Sequence, residues 1–137
     1  HPTKIYTIES GIEDYNKEIN IMELEKFTFL PNWKIENLKG SIDLFVNFIS
    51  FQEMEPFIVK NYALYIQKLR PQYILLRNLR EGKQKSKNGE LGVEQPILQQ
   101  DYMSFFDQYK MLASNVLPFG YKTADGFHSQ LTILSRK

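Results

Sequence analysis

The feature that most restricts the fold is the apolar run SIDLFVNFISFQEM, residues 41–54, which stops at polar side chains. Between Ile42 and Ile49 apolar residues fill both faces of any periodicity, as in a fully buried parallel strand or a buried helix. The continuous run is short, which suits a strand of about 4–8 residues. A buried bundle helix would also leave the polar groups that follow without partners. The run therefore predicts a buried strand whose end delivers polar groups to a site.

A helix and a second apolar run follow this segment. Apolar residues recur at helical spacing over Met54–Leu69, with Pro56 near the first turn, where its missing N–H is harmless, and Pro71 beyond the end. The run QYILLRN then predicts a second buried strand, over Gln72–Arg77. Two short apolar runs joined by one amphipathic helix are typical of a right-handed crossover. We therefore expect the two strands to be adjacent and parallel.

The segments on either side extend this alternation of strands and helices. In chain order they are a strand over Lys4–Ile8, a helix from the N-cap Ser10 through Met22, a strand over Lys26–Leu30, a polar connection over 32–40, a polar surface loop over 79–96, a helix over 96–112 and a hairpin around 124–126. The order predicts an α/β fold with a mainly parallel sheet and a C-terminal antiparallel hairpin. We expect a single domain over residues 1–137.

Composition excludes several classes of function. The 17 basic residues nearly balance the 16 acidic ones, so no global field recruits nucleic acid or an anionic membrane. Without cysteine and with only two histidines, the chain has no thiolate or histidine-rich metal site, and we expect no metal. No apolar run approaches the ~18 residues of a membrane span. We expect a soluble, cytoplasmic protein with no nucleic-acid or membrane partner, and the sequence leaves open whether it forms a homo-oligomer.

The segment DLFVNFISFQEM, followed by a helix and then YILLRN, resembles the class I S-adenosylmethionine-dependent methyltransferases, in particular a group of sugar O-methyltransferases. The likeness extends over nearly all of the chain and is specific between Asp43 and Asn78. It implies a Rossmann-like methyltransferase sheet, S-adenosylmethionine as the cofactor, and a small-molecule hydroxyl, such as that of a sugar, as the methyl acceptor. In this sheet Lys4–Ile8 is strand two, Lys26–Leu30 strand three, Ile42–Ile49 strand four, Gln72–Arg77 strand five, and the hairpin supplies the last two strands.

The chain departs from the family at its N-terminal end. The family has a glycine-rich turn after strand one, whereas the seven glycines of this chain contain no G-x-G pair. In the family's order this chain begins after that turn, so we expect the N-terminal part of the fold to be missing. The missing part would include strand one, which lies between strands two and four in the family. The chain then corresponds to the later two-thirds of a methyltransferase domain.

Ligands of open α/β sheets bind outside the carboxyl ends of the strands, and the resemblance assigns roles to the residues that follow each strand. The cofactor-binding residues it implies are Glu9, Pro31, Asn32 and Asn47. The substrate-binding residues are Ser50, Gln52, Asn78 and Arg80. Glu53 is the candidate catalytic residue, as a general base on the acceptor hydroxyl. Methyl transfer needs few further catalytic groups, because the sulfonium is already activated. In-line positioning of the donor and the nucleophile can supply much of the acceleration.

Each of these roles has a plainer alternative. Glu9 and Glu53 also fit as solvated carboxylates that stabilise the N-terminus of the next helix through its dipole. Trp33 is more often a plug than a stacking partner, and the polar residues after strand five can simply solvate a loop. His128, in the predicted hairpin, is expected to be structural and distant from the strand ends.

Two other classes of protein compete with the enzyme. EDYNKEI and LFVN resemble helices of Rho exchange factors, which predicts a non-enzymatic helical protein-protein interaction domain, although that family's later arginine-containing helix motif is absent. The segment DYMSFFDQYKMLASN with the hairpin also fits a winged helix on nucleic acid, but its only cation is Lys110, against Asp101 and Asp107. Circular dichroism discriminates, because the helical domain contains no sheet.

Overall fold

The structure, a computed structural model, describes residues 3–5, 17–87, 92–116, 120–124 and 126–137. The helices in these ranges are α1 (Pro56–Lys68) and α2 (Gln99–Phe105), and three short 3₁₀ turns cover Ile21–Glu23, Asn32–Asn37 and Ser50–Glu53. The strands are β1 (Thr3–Ile5), β2 (Ile19–Asn20), β3 (Phe27–Phe29), β4 (Leu38–Lys39), β5 (Leu44–Phe48), β6 (Tyr73–Leu79), β7 (Tyr109–Asn115), β8 (Tyr121–Lys122) and β9 (His128–Arg136).

The largest sheet has the strand order β5–β6–β9–β7, with β8 also paired to β9. Strands β5 and β6 are parallel, and their register places Leu44 opposite Tyr73. This pairing confirms the predicted adjacency of the two apolar runs. Helix α1 makes the crossover between them.

Helix α1 lies within the predicted range Met54–Leu69, and it begins two residues later and ends one residue earlier. Pro56 occupies its first turn, where the missing backbone N–H costs nothing. Val59, Ala63 and Ile66 recur at helical spacing and are completely buried. The helix ends at Lys68, three residues before Pro71. Its apolar stripe therefore shares the buried core with Ile74 and Leu76 of β6.

The helix predicted over 96–112 is wrong in its second half. Helix α2 ends because Phe106 leaves helical geometry, with φ −104° and ψ 57°, and the chain continues as β7, which pairs with β9. The buried Tyr109 donates its hydroxyl to the carbonyl oxygen of Pro71 at 2.7 Å, and its ring meets that of Phe106 edge to face. The helical spacing arises because two different elements contribute apolar residues to one core.

The C-terminal strands make the sheet mixed rather than mainly parallel. Strand β9 is antiparallel to β6, and also to β7 and β8. The predicted hairpin exists as β8 and β9, but β8 contributes only Tyr121 and Lys122. The last two full strands are therefore β7 and β9, so the assignment of both to the hairpin is wrong. The strand β7 also contradicts the winged-helix alternative, in which this segment is helical.

The N-terminal strands form two small parallel pairs. Strand β1 pairs with β3, and β2 pairs with β4. Strand β3 confirms the predicted strand over Lys26–Leu30, and β1 covers the described part of the strand predicted over Lys4–Ile8. The rest of that predicted strand lies outside the described residues.

The helix predicted from Ser10 through Met22 is wrong at its C-terminal end. Ile19 and Asn20 form β2, and the Asn20 side chain then accepts a hydrogen bond from the Met22 N–H at 3.1 Å, which starts a 3₁₀ turn. Asparagine competes with helical hydrogen bonding in this way. Residues 10–16 of the predicted helix lie outside the described ranges.

The hydrophobic core lies between the two helices and the largest sheet. Its buried residues are Phe51, Val59, Ala63, Ile66, Ile74, Leu76, Ile97, Tyr102, Phe106, Tyr109 and Leu134. Both layers of an α/β fold contribute to this cluster. The sheet contradicts the helical interaction domain. None of the helices in the described ranges is long and apolar enough to cross a membrane.

Strand β5 is less buried than the sequence predicts. Leu44, Val46 and Phe48 alternate on one face and are 46–48% exposed. Among the described strands, β5 pairs only with β6, so its other edge carries unpaired backbone groups. The apolar run is therefore typical of a strand that is covered on both faces, but the described residues cover only one face of β5.

Candidate functional site

A cleft of about 360 Å³ opens at the carboxyl edge of the sheet, between the segment that follows β3 and the segment that follows β5. Helix α1 closes its third side. The lining residues are Leu30, Pro31, Asn32, Ile35, Leu38, Phe45, Val46, Asn47, Ser50, Phe51, Met54 and Tyr62. This edge is the one at which open α/β sheets bind ligands.

Several predicted site residues meet in this cleft. They are Pro31, Asn32, Asn47 and Ser50. The predicted residues that the structure describes but does not place in the cleft are Gln52, Glu53, Asn78 and Arg80. Glu9 lies outside the described residues. The structure thus brings the residues that follow strand three together with Asn47 and Ser50, and it leaves Gln52 and Glu53, together with the residues that follow strand five, outside the cleft.

The turn after β5 is held by the side chain of Asn47. Its Nδ2 donates to the hydroxyl of Ser50 at 2.6 Å, and its Oδ1 accepts from the backbone N–H of Phe51 at 3.3 Å. Between them Ile49 has φ 74°, an unfavourable value for a β-branched residue, and its N–H donates to the carbonyl oxygen of Arg77 at 2.7 Å. Such strain costs about 1–3 kcal/mol and concentrates at functional sites. The turn is therefore a rigid polar lip of the cleft.

An aromatic wall faces this lip. The rings of Phe45 and Phe51 stack at 6.1 Å between centroids, and the ring of Tyr62 lies 6.2 Å from that of Phe51. The Tyr62 hydroxyl accepts a hydrogen bond from Asn32 Nδ2 at 3.0 Å. Trp33, the aromatic residue considered from the sequence, does not line the cleft. Sequence reasoning missed Tyr62 because its helical spacing marked it only as a core position of α1.

Gln52 and Glu53 form a structural bracket beside the cleft. The buried Gln52 accepts a hydrogen bond from the backbone N–H of Leu79 at 2.7 Å, and its Nε2 donates to Glu53 at 3.2 Å. Glu53 also pairs with the Lys83 ammonium at 3.0 Å, and its side chain is 44% exposed. Gln52 therefore joins the turn after β5 to the end of β6.

Replacing Gln52 by alanine is expected to destabilise the chain by about 1–3 kcal/mol, because the Leu79 N–H loses its acceptor. The measurement is the free energy of unfolding from urea titration. Gln100→Ala on the exposed face of α2 is the control, with an expected change within about 0.5 kcal/mol. Equal effects of the two substitutions would show that the bracket contributes nothing.

The residues after β6 form a separate charged cluster. Arg80 Nη2 lies 2.9 Å from Glu81 Oε1, and His128 Nδ1 lies 2.6 Å from the same oxygen. The expectation that His128 lies far from the strand ends is wrong, because β9 is antiparallel to β6 and begins where β6 ends. Asn78 precedes this cluster and is a buried residue of β6 rather than a residue of the following loop.

The hydrogen bonds of this cluster act on the Glu81 carboxyl. Its partial burial raises the pKa, but the backbone N–H and the imidazole of His128, together with the guanidinium of Arg80, outweigh burial and lower the pKa from 4.5 to about 2. The charged form of Glu81 is thus favoured in the folded state.

The contribution of Glu81 to stability is expected to be complete above pH 4.5 and to be lost as the pH falls from 4.5 through about 2, because the folded-state pKa is the lower one. Urea midpoints measured over this window test the sign. Glu81→Gln is expected to flatten the decline, and the exposed Glu94→Gln is the matched control. The side chain of Glu81 is 36% exposed, so salt will reduce the effect. A wild-type decline that Glu81→Gln leaves unchanged would contradict this assignment.

The similarity of this chain to known proteins is detected in its structure and not in its sequence. No model of a known protein family matches the sequence, and no curated protein matches it. The structure is similar to an S-adenosylmethionine-dependent methyltransferase from Clostridium acetobutylicum, with TM-score 0.54 and 10% identity over 98% of this chain and 74% of that one. It is also similar to TehB from Haemophilus influenzae, with TM-score 0.51 and 14% identity over 98% of this chain and 49% of that one. The chain therefore has an α/β Rossmann-like fold of the class I methyltransferase type.

Proposed function

We propose that this chain is part of an S-adenosylmethionine-dependent methyltransferase that acts on a hydroxyl of a small molecule, such as a sugar. The observation that supports the proposal most is the cleft at the carboxyl edge, where Pro31, Asn32, Asn47 and Ser50 meet. The likeness of the fold to an S-adenosylmethionine-dependent methyltransferase adds support. No metal has a part in the proposal, and the described residues contain no cluster of three metal-ligating side chains.

The residues of the cleft fit the methyl donor in size and chemistry. Its volume of about 360 Å³ is within the range of small-molecule sites, about 300–1,000 Å³. The aromatic wall of Phe45, Phe51 and Tyr62 suits a purine ring, with Pro31 and Asn32 at its edge. Asn47, at the end of β5, faces the region between donor and acceptor in this arrangement. When bound, S-adenosylmethionine supplies a methyl group already activated by the sulfonium.

The acceptor side of the site is less complete among the described residues. Ser50 shares the cleft with the donor residues. In the proposal the hydrogen bond from the Leu79 N–H to Gln52 positions the turn that carries Ser50. Asn78 and Arg80, at the end of β6, remain predicted acceptor-binding residues. Glu53 can act as general base only when its carboxylate is free of Lys83, which lies 3.0 Å away.

The donor role of Glu9 gives a direct test of the proposal. In a form of the protein that binds S-adenosylmethionine, Glu9→Ala is expected to weaken binding about 10- to 150-fold, the equivalent of about 1.5–3 kcal/mol for one charge-assisted hydrogen bond. Calorimetry measures the change. Glu18→Ala, which removes an exposed carboxylate paired with Lys39, is the control and is expected to leave the affinity unchanged. Unchanged affinity in Glu9→Ala would remove Glu9 from the site.

A further inference from the structure

A second cavity, distinct from the cleft, lies between α2 and the strands β6 and β9. It encloses about 10 Å³ and shares no lining residue with the cleft. Its lining residues are Leu76, Asn78, Leu79, Gln99, Tyr102, Met103, Gln130, Thr132 and Leu134. The lining is mixed, since four apolar side chains alternate with five polar or amphipathic ones.

Three residues that line this cavity carry buried polar atoms without a hydrogen-bond partner. Among the described residues they are both amide atoms of Asn78, the hydroxyl of Tyr102 and Oε1 of Gln130. Asn78 and Gln130 are directly opposite each other in the register of β6 and β9. Asn78 is 5% exposed and Tyr102 4%, so bulk water does not serve these groups. Three side chains from three elements thus present unmet hydrogen-bonding capacity to one small space.

The neighbouring polar side chains are satisfied by one another. Gln99 Nε2 donates to the Thr132 hydroxyl at 3.3 Å, and the hydroxyls of Ser114 and Thr132 lie 2.9 Å apart. A buried polar group left unpaired costs about 1–3 kcal/mol. The groups around the cavity would therefore carry a penalty of several such terms, unless a small polar molecule serves them.

We propose that this cavity binds one water molecule, held by Asn78, Tyr102 and Gln130. A site for a single water needs about 10–15 Å³ and two to four polar partners, and the cavity provides both. The water accepts hydrogen bonds from Asn78 Nδ2 and the Tyr102 hydroxyl, and donates one to Gln130 Oε1. It connects α2 to the paired strands β6 and β9. This inference does not rest on the proposed methyltransferase function, although the two share Asn78.

The sign of the stability change caused by Tyr102→Phe distinguishes a hydrated cavity from a dry one. If the cavity is dry, Tyr102→Phe removes an unpaired hydroxyl and is expected to stabilise the chain or leave it unchanged. If the water is present, the substitution removes one of its partners, and the equilibrium constant of unfolding is expected to rise about two- to tenfold. Tyr73→Phe removes a hydroxyl from a tyrosine that is 38% exposed, and it is the matched control.

A direct observation completes the test. A crystal structure of the full chain, at a resolution that reveals ordered solvent, is expected to contain one water within about 2.7–3.2 Å of the Asn78, Tyr102 and Gln130 side chains. The water together with a destabilised Tyr102→Phe variant supports the proposal. An empty cavity overturns it, and so does a Tyr102→Phe variant at least as stable as the wild type.

Discussion

Replacing Phe106 by alanine is expected to lower the free energy of unfolding by about 3–5 kcal/mol, which is a large part of the total stability of a domain of this size. Phe106 is completely buried at the junction between α2 and β7, and its ring meets Tyr109 edge to face with 6.3 Å between centroids. The substitution removes the buried ring and leaves a cavity between the helix layer and the sheet. Urea titration followed by circular dichroism measures the loss.

The control for this substitution is Phe57→Ala on α1. The side chain of Phe57 is 72% exposed, so the expected change is within about 0.5 kcal/mol. Both variants replace phenylalanine by alanine, and the two positions differ in burial. Similar losses in the two variants would contradict the position of the core, and with it the packing of α2 on the sheet.

The second large effect concerns the affinity of the 137-residue chain for the methyl donor. We expect a Kd above about 1 mM, at or beyond the upper end of the usual 1 μM–1 mM range of KM values. Close approach of backbone N–H groups to such a ligand needs a glycine-rich turn, and the sequence contains no G-x-G pair. Residues of β5 also line the cleft, and among the described strands β5 pairs only with β6, so one side of the cleft has no further strand beside it.

Equilibrium dialysis of the 137-residue chain against labelled S-adenosylmethionine measures this affinity. No saturable binding is expected in the micromolar range. A longer chain that supplies a strand beside β5 and a glycine-rich turn is expected to bind more strongly by a factor of 100 or more, on the order of 2.7 kcal/mol. Micromolar binding by the 137-residue chain alone would show that the methyl donor needs neither a further strand beside β5 nor a glycine-rich turn.

The middle of the fold could be predicted from the sequence because local patterns and tertiary structure agree there. The run that became β5 also fits a buried helix by periodicity, and its short length decides for a strand. The helix α1, with Pro56 in its first turn, and the run that became β6 follow from their own patterns. A crossover of this kind has a strongly preferred hand. Periodicity, run length and chain direction were therefore sufficient to predict their order and pairing.

The errors occur where one pattern permits two structures. Apolar residues of α2 and β7 follow one another at helical spacing, and only packing against β9 decides that the segment from Tyr109 is a strand. Ile19 and Asn20 continue a helical pattern, yet they pair with Leu38 and Lys39. Long-range pairing overrides local propensity in both cases. The exposure of β5 could not be predicted either, because periodicity does not reveal what covers a strand.

The candidate site was predictable in part for the same reason. Pro31, Asn32 and Ser50 follow strands and Asn47 lies near the end of one, and parallel strands bring their carboxyl ends to one edge. Tyr62 lies in the middle of a helix and was missed, since only the tertiary structure places it over the cleft. The pairing of Glu53 with Lys83 likewise depends on where the loop after β6 returns.

The most direct test of the central claim is a nuclear magnetic resonance titration of the labelled chain with millimolar S-adenosylhomocysteine, the stable product of the donor. Such a titration detects weak binding and locates it. We expect the perturbed amides to cluster around the cleft, at Asn32, Asn47, Ser50 and Tyr62, while those around the cavity under α2 stay unchanged. Perturbations centred on that cavity or on the Arg80 cluster would contradict the claim.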